Sequence, residues 1–553
     1  MKHGFWVFAF ILIFSSGITS PLAAQPLDVS DAAIQRLLTG PFQYDYTAVT
    51  SDSALEAFVG AVDFQLAAIE YRQRAEYLRL GDSTSMRLRF GRDLEERYRQ
   101  IMQDGLIART FDAWAGKSGN LISRAFIQQF KFRHNEFVVD PKSIRKAREL
   151  ANIIADRMHH FHFRVNDTTY SASEASGLVA GGDDVKLARM LYKRQNDSAS
   201  LLVKDAIELY YVYSRMGEER GAPSSFAYSL SKLSFRPPEW TKIAQDLVAV
   251  TEAEYDAALD ALKKQAGQSQ LCVIDVERFL TEGASLPDKY FPAEKSVAAI
   301  RKLLSGMGID SLFDKILLRT LDSGSFPAVA VRLDPPYSNI LITNRKGGFL
   351  YYRRLAAETG RLLPWVFADS SLPHTLRDYP AGAEEALTLL ISSLAMTRSF
   401  LADNFSIPAE ELNRFDNYNR WLSIYRLRQV LISYLFDYYL SEGKEPNPEK
   451  TYWSLEKSLF GVNDSSFQWI ETLITGDLDK YPQRLASAYF RFKLDEILFH
   501  KFGDKYTTDK KTGRFLIENF CRPGRSRTIE QFCAAEAEDR LSVADVKRSL
   551  GLR

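Results

Sequence analysis

The chain has 553 residues, of which 46% are hydrophobic and 25% are charged. That composition is typical of a globular protein with enough apolar material for a large core. The 71 basic and 70 acidic side chains leave a formal net charge of +1. Because no broad basic field is present, nucleic acid is not expected as a partner.

The first residues have the three-part layout of a secretory signal peptide. A short basic head precedes an apolar run that ends near Phe14, and small and polar residues then lead to Ala24. The apolar run is about ten residues, too short for the roughly 30 Å hydrocarbon core of a bilayer. We expect residues 1–24 to be removed and residues 25–553 to form one exported domain, periplasmic or extracellular, with no membrane span. An uncleaved membrane anchor is the alternative.

Amphipathic helices account for most of the remaining sequence. Apolar residues recur at intervals of three and four over Ala54 to Leu80. Three later segments continue the same period: Lys142 to Phe163, Asp184 to Arg215 and Trp240 to Gln265. Strand-like alternation is best developed in two short runs, Ala328–Leu333 and Asn339–Thr343. The sequence therefore predicts a mainly α protein with a small β element near residue 340.

Three cysteines occur in the whole chain. Cys521 and Cys533 are twelve residues apart around the turn-rich Arg522–Arg525 and could close one disulfide loop, leaving Cys272 over. Three buried thiols are an equally good interpretation, because spacing alone does not establish pairing. The sequence contains no CxxC pair, so nothing in it indicates a structural zinc site held by cysteines.

The segment with the clearest chemical pattern lies between Ala357 and Glu385. In HExxH peptidases two histidines four residues apart bind Zn²⁺ from one helix face, the Glu between them polarises water, and a Glu on the next helix is the third ligand. At those positions this chain has Ala357, Glu358, Arg361 and Glu385, with 23 residues between the last two. Ala has no donor atom and Arg stays cationic, so the pattern predicts no bound metal and a vestigial general base, Glu358. We call these four residues the frame.

The frame resembles the peptidyl-dipeptidase A family, the angiotensin-converting-enzyme-like zinc peptidases of the gluzincin clan. The 23-residue spacing equals that family's, and Leu372–Arg377 resembles its Leu-Pro-x-Ser-Leu-Arg. Glu208–Gly221 and Tyr489–Leu498 are similar to two of its other helices. The resemblance implies a two-lobed, zincin-like helical fold with a deep central cleft, the motif region at residues 345–400, and covering helices at about residues 50–110.

Arg361 is expected to replace the positive charge of the missing metal. Its guanidinium would project towards Glu385 and either Glu358 or Glu384, where a bidentate pair with a carboxylate would keep buried acids compensated. The alternative is that Arg361 points into solvent and pairs with nothing.

Other side chains are candidates for the cleft or for a different metal site. The resemblance places Tyr481 and Arg484 on the family's Tyr-x-Arg-Tyr, so that Arg484 stands where the oxyanion-donating Tyr would be. His374 lies between the two halves of the frame and could reach the old metal position. His159 and His162 are three residues apart and could share a helix face as metal ligands, or form an incidental surface cluster.

The expected function is that of an exported, catalytically inactive metallopeptidase homologue whose cleft binds a peptide or a protein partner, with no cofactor. One alternative is an active or residual zinc peptidase of the peptidyl-dipeptidase type, with its metal recruited by His374 or the His159–His162 cluster. A second alternative is a structural envelope protein whose cleft has closed. The sequence has no nucleophile elbow, phosphate-binding loop or dinucleotide-binding glycine pattern that would indicate another class of enzyme.

Overall fold

A computed structural model describes residues 46–78, 85–181, 184–233, 237–321, 328–380, 382–383, 385–443, 447–462, 466–474, 480–536 and 543–551. The expected signal peptide and Glu384 lie outside these residues. Most of the described residues are helical and few are in strands, which confirms the predicted mainly α class.

The helices of the first half of the chain are α1 (Asp52–Leu78), α2 (Ser85–Met102), α3 (Gly105–Trp114), α4 (Leu121–Phe137), α5 (Pro141–His159), α6 (Ala172–Gly181), α7 (Val185–Ala199), α8 (Val203–Glu219), α9 (Ser225–Ser231), α10 (Pro237–Ala266) and α11 (Val273–Gly283). The later helices are α12 (Ala293–Gly306), α13 (Phe349–Phe367), α14 (Ala386–Ala395), α15 (Arg398–Asn404), α16 (Ala409–Ser441), α17 (Pro448–Phe460), α18 (Gln468–Ile474), α19 (Lys480–Phe502), α20 (Lys510–Leu516), α21 (Ile529–Glu536) and α22 (Val543–Ser549). The strands are β1 (His162–Val165), β2 (Thr168–Ser171), β3 (Leu317–Leu321), β4 (Ala328–Asp334) and β5 (Ser338–Asn344).

The predicted helix over Lys142 to Phe163 is too long at its carboxyl end. Helix α5 ends at His159, and β1 and β2 then form an antiparallel hairpin. The two turn residues, Asn166 and Asp167, have φ angles of 50° and 63°. Asn and Asp adopt this left-handed conformation more readily than most residues, which suits them to a two-residue hairpin turn.

The predicted helix over Asp184 to Arg215 is divided in two. A 3₁₀ turn at Ser200–Leu202 separates α7 from α8. Asp184 caps α7, because its carboxylate accepts a hydrogen bond of 3.0 Å from the backbone N–H of Leu187. This side chain satisfies one of the donors that a helix start leaves without a partner.

The chain divides into two compact units. The first unit contains residues 46–138, 293–380 and 502–532, and the second contains residues 139–292, 381–501 and 533–551. Ala357, Glu358, Arg361 and His374 belong to the first unit, whereas Glu385, Tyr481 and Arg484 belong to the second.

The first unit has a core of aromatic and aliphatic side chains from α1 to α4. Phe111 lies at its centre, with ring centroids 5.2 Å from Phe58 and 4.9 Å from Phe130. Each such buried side chain contributes about 1.5–3 kcal/mol of hydrophobic stabilisation. Leu372 and Leu376 belong to the same core, so the segment after α13 is packed against these helices.

The small β element lies just before α13, as predicted. Strand β4 pairs antiparallel with β5, and β3, which the sequence analysis missed, pairs parallel with the other side of β5. Leu317 and Leu318 in β3 are exposed, so this strand lacks the alternating burial that pattern recognition depends on. Because β5 lies between β3 and β4, strand β4 is at one edge of the sheet, and α13 packs beside it.

The second unit is built from long helices around buried aromatic rings. Trp240 in α10 makes edge-to-face contacts with Tyr489 and Phe490 in α19. Gly382, which precedes α14, has a φ of 82°, and a Cβ there would lie 2.8 Å from that of Ala486. Only glycine fits this close approach without strain.

No single helix among the described residues is long and apolar enough to cross a membrane, although α14 and α15, bent by 59°, pass that test as a pair. The three cysteines are thiols in the structure. Cys521 is buried, and burial raises the pKa of its thiol.

Candidate functional site

Helix α13 carries the first three positions of the frame. It follows Gly348 and buries an apolar face that includes Leu355 and Leu362. Ala357 is half-buried, Glu358 is fully buried, and the side chain of Arg361 is 32% exposed. Residues three and four apart on a helix share a face, so Glu358 and Arg361 are neighbours.

Glu358 is bound from two directions. Its Oε2 atom accepts a hydrogen bond of 3.0 Å from the backbone N–H of Ala330 in the edge strand β4. Its Oε1 atom lies 2.8 Å from Nη2 of Arg354 and 3.6 Å from Nη1 of Arg361. Neither of these two contacts has the geometry of a hydrogen bond. The buried carboxylate is therefore compensated by one amide and two ion pairs.

The residues of the frame do not fit a zinc ion. Ala357 offers no ligand atom, and the guanidinium of Arg361 places a cation beside the one acid of this helix face. Structural and catalytic zinc sites need at least three protein ligands. Glu385 immediately precedes α14 in the second unit and is half-buried, and its pairing with Arg361 stays a prediction.

His374 is held by carboxylates of the first unit. Its Nδ1 atom lies 3.1 Å from Oδ2 of Asp63 in α1, and its backbone N–H donates to the same carboxylate. Its Nε2 atom lies 3.8 Å from Oδ1 of Asp334 in β4. Burial alone would raise the pKa of Asp63, but the hydrogen bond and charge of His374, with Thr375, hold that pKa below its usual range. A histidine placed this way tethers α1 to the loop after α13.

The Leu372–Arg377 stretch has a structural role that the sequence did not reveal. Arg377 is 2% exposed and donates three hydrogen bonds to backbone carbonyls. The acceptors are Leu372 at 2.7 Å, Ser370 at 2.9 Å and Pro335 at 3.1 Å. The guanidinium therefore clamps the loop after α13 onto the loop between β4 and β5.

Two further acids of the first unit, the half-buried Glu70 and the buried Asp378, have several partners. Glu70 in α1 accepts hydrogen bonds from Arg133 at 2.6 Å, Arg74 at 2.9 Å and Tyr98 at 3.2 Å. Burial would raise the pKa of Glu70, but these guanidinium groups, with that of Arg332, lower it to about 2.

Asp378 and Glu70 share one cation, because Arg332 binds Asp378 and also lowers the pKa of Glu70. We call the polar side chains around these two acids the network. Asp378 accepts hydrogen bonds from Arg332, from Arg525 at 2.9 Å and from the Trp365 indole at 3.0 Å. Burial would raise its pKa, whereas Arg332 and Arg525 hold that pKa well below the usual range. The loop after α13 is thus fixed to Arg332 in β4 and to Arg525, which lies in the last segment of the first unit, residues 502–532.

The remaining candidates lie in the second unit. Tyr481 is buried and Arg484 is exposed, with the Arg484 guanidinium 5.7 Å from the centre of the Tyr481 ring. His159 and His160 contact each other edge to face, and Nδ1 of His162 lies 2.9 Å from the carbonyl of His160. These histidines are exposed, and among the described residues they belong to no group of three possible ligands within mutual reach.

Among the described residues, one group of three possible ligands has atoms within mutual reach. It contains Glu496 and His500 in α19 and Asp545 in α22. Cations already occupy it, because Lys493 lies 2.9 Å from Glu496 and Arg548 lies 3.2 Å from Asp545. The sequence analysis missed this group, since Asp545 lies 45 residues after His500 and the three residues follow no motif.

Arg354 was also missed, although the sequence contains the signal for it. An arginine four residues before a glutamate on a helix pairs with it across one turn. The structure shows this pair, with 2.8 Å between Arg354 and Glu358.

No protein-family model and no curated protein matches the chain. Solved structures do match. The M32 carboxypeptidase of Deinococcus radiodurans R1 aligns over 90% of this chain and 100% of its own, with a TM-score of 0.60 and 13% identity. A carboxypeptidase of Pyrococcus furiosus, described as Apo-Mg, aligns over 92% and 99%, with a TM-score of 0.62 and 12% identity. This chain has the helical fold of the M32 carboxypeptidases.

These neighbours bear out the expected family in part. They support a metallopeptidase fold, but they are carboxypeptidases, and they do not support the peptidyl-dipeptidase assignment. Within Leu372–Arg377, the stretch that suggested that assignment, Arg377 binds backbone carbonyls and so has a structural role in this fold.

Proposed function

We propose that this chain is a peptide-binding protein built on a carboxypeptidase fold, and that it does not hydrolyse peptides with a metal at the frame. The observation that carries the proposal is the donor set on α13. Ala357 has no ligand atom, Arg361 is a cation, and Glu358 is engaged by Ala330 and Arg354. Without a metal, nothing lowers the pKa of an attacking water from about 15.7 towards 7.

The ligand that we propose follows from the fold neighbours. Both are carboxypeptidases, a class named for action at the carboxyl end of a peptide chain. Loss of metal ligands removes the reaction, but it does not require loss of the peptide-binding groups. We therefore propose a peptide with a free carboxyl terminus as the ligand. The signal-like residues 1–24 support an exported protein, periplasmic or extracellular.

A second candidate function is an active metallocarboxypeptidase that holds its metal away from the frame. The fold of the neighbours favours it, and the group of Glu496, His500 and Asp545 offers one His and two carboxylates. Against it, Lys493 and Arg548 already pair with the two acids. A metal ion would have to displace both cations to reach three ligands.

Metal analysis combined with a hydrolysis assay separates the two functions. The mature chain, dialysed against zinc and then against buffer, is expected to retain far less than one ion. It should also leave an N-acetylated peptide with a free carboxyl terminus intact, and bind that peptide in calorimetry. Retention of about one zinc per chain, with release of the carboxyl-terminal residue, would overturn the proposal. A His500→Ala variant that lost this zinc would assign the metal to the second candidate, and His374→Ala is the matched control.

A further inference from the structure

Helix α13 carries an excess of positive charge at the frame. Arg354 and Arg361 both approach Oε1 of Glu358, so two cations share one anion. The carboxylate is fully buried, whereas the side chains of Arg354 and Arg361 are 47% and 32% exposed. The three ionised groups sum to one positive charge, and both cations reach the solvent.

Among the described residues, the neighbouring charged groups do not cancel this excess. Arg353, which precedes Arg354 on the helix, is itself a cation, and its guanidinium lies 5.8 Å from the centre of the Phe349 ring. Arg332 in the adjacent strand is paired with Asp378. Among the ion pairs of the described residues, Glu358 is the acid that contacts Arg354 or Arg361.

The N–H donors of the two guanidinium groups remain available. Each guanidinium has five N–H groups in a planar fork, and the contacts with Oε1 of Glu358 do not have hydrogen-bond geometry. A carboxylate matches such a fork with two parallel hydrogen bonds. The buried Glu358 also restrains both side chains before a ligand arrives, which reduces the conformational entropy lost on binding.

We propose that Arg354 and Arg361 form a carboxylate-binding site, and that its occupant is the terminal carboxylate of a peptide. The inference rests on the proposed function, which supplies the peptide. It assigns a recognition role to the helix face that would hold the first ligands of a zinc site. The cations that exclude a metal from this face are the groups that recognise an anion there.

Calorimetric titration of the mature chain at low salt tests the proposal with three probes: a hexapeptide with a free carboxyl terminus, the same hexapeptide as its amide, and acetate. We expect the amide to bind about tenfold more weakly than the acid, the loss of one charge-assisted contact. Arg354→Gln and Arg361→Gln should each lower the affinity for the acid peptide by a similar factor and leave the affinity for the amide peptide unchanged. Arg353→Gln, one residue away with an aromatic partner, is the matched control and should change neither.

Each outcome decides between the proposals. Equal affinity for acid and amide overturns the carboxylate site and leaves peptide binding standing, whereas binding of neither peptide removes the proposed function as well. Acetate bound as tightly as the acid peptide would make a small carboxylate, not a peptide, the occupant. Arg361→Lys keeps the charge without the fork and is expected to fall between the native chain and Arg361→Gln; affinity as low as that of Arg361→Gln would contradict a charge-based contact.

Discussion

Two buried acids of the first unit, Asp378 and Glu358, are compensated in opposite ways. Asp378 has hydrogen bonds from Arg332, Arg525 and Trp365, and its arginines are largely buried. Glu358 has one backbone hydrogen bond, and its two arginines are partly exposed and make only ion pairs. The difference separates a network that holds the fold from a frame that is open to ligands.

The two regions meet at the backbone of α13. The hydroxyl of Tyr379, the residue after Asp378, donates to the carbonyl of Arg361. The network therefore fixes the main chain of Arg361 and leaves its side chain partly in solvent. In this way the network supports α13 independently of the side chains at the frame.

The largest effect should come from breaking the clamp. Replacing Arg377 by Met removes three hydrogen bonds from the loop after α13 and leaves three carbonyls without these donors. We expect the free energy of unfolding to fall by about 4 kcal/mol, measured by urea denaturation. A loss below about 1 kcal/mol would show that the loop does not depend on this side chain.

Acid should weaken the network through Glu70. The pKa of Glu70 is lowered to about 2 in the folded chain, from an unfolded value near 4.3. A lowered folded pKa stabilises the protein above the unfolded pKa, and that stability is lost as the pH falls from about 4 to about 2, by about 3 kcal/mol. Urea denaturation of the native chain and of Glu70→Gln at pH 6 and pH 3 measures the part lost above pH 3, about 2 kcal/mol. An identical pH dependence in both proteins would contradict the assignment.

The smallest effect should come from the frame itself. Arg361→Ala removes one long ion pair while Arg354 stays 2.8 Å from Glu358. We expect a destabilisation of about 0.5–1 kcal/mol, the scale of a partly exposed pair. A change below about 0.5 kcal/mol, which is usual for surface substitutions, would show that Arg361 does not compensate Glu358. Arg353→Ala serves as the control on the same helix.

The sequence predicted the local features that depend on periodicity and spacing. The amphipathic helices, the strands at β4 and β5 and the position of Glu358 and Arg361 on one helix follow from such patterns. The exposed strand β3 and strand β2 did not, because they carry no alternation of burial. Strand β1 does alternate, but only over four residues that directly follow the helical period of α5.

Contacts between distant segments were beyond the sequence. His374 was considered as a metal ligand, but a carboxylate 311 residues away, Asp63, holds it. The donors around Asp378 likewise come from a strand, a helix and a segment about 150 residues later. Packing brings such groups together, and neither periodicity nor spacing along the chain encodes it.

Restoring the metal ligands tests the central claim, that the frame is a zinc site without its ligands. Ala357→His with Arg361→His would place two imidazoles four residues apart on α13, beside Glu358. The native chain is expected to hold no zinc at the frame, and the double variant to retain about one ion per chain, the stoichiometry of a rebuilt HExxH site. Zinc retained equally by both proteins, or by neither, would contradict the account.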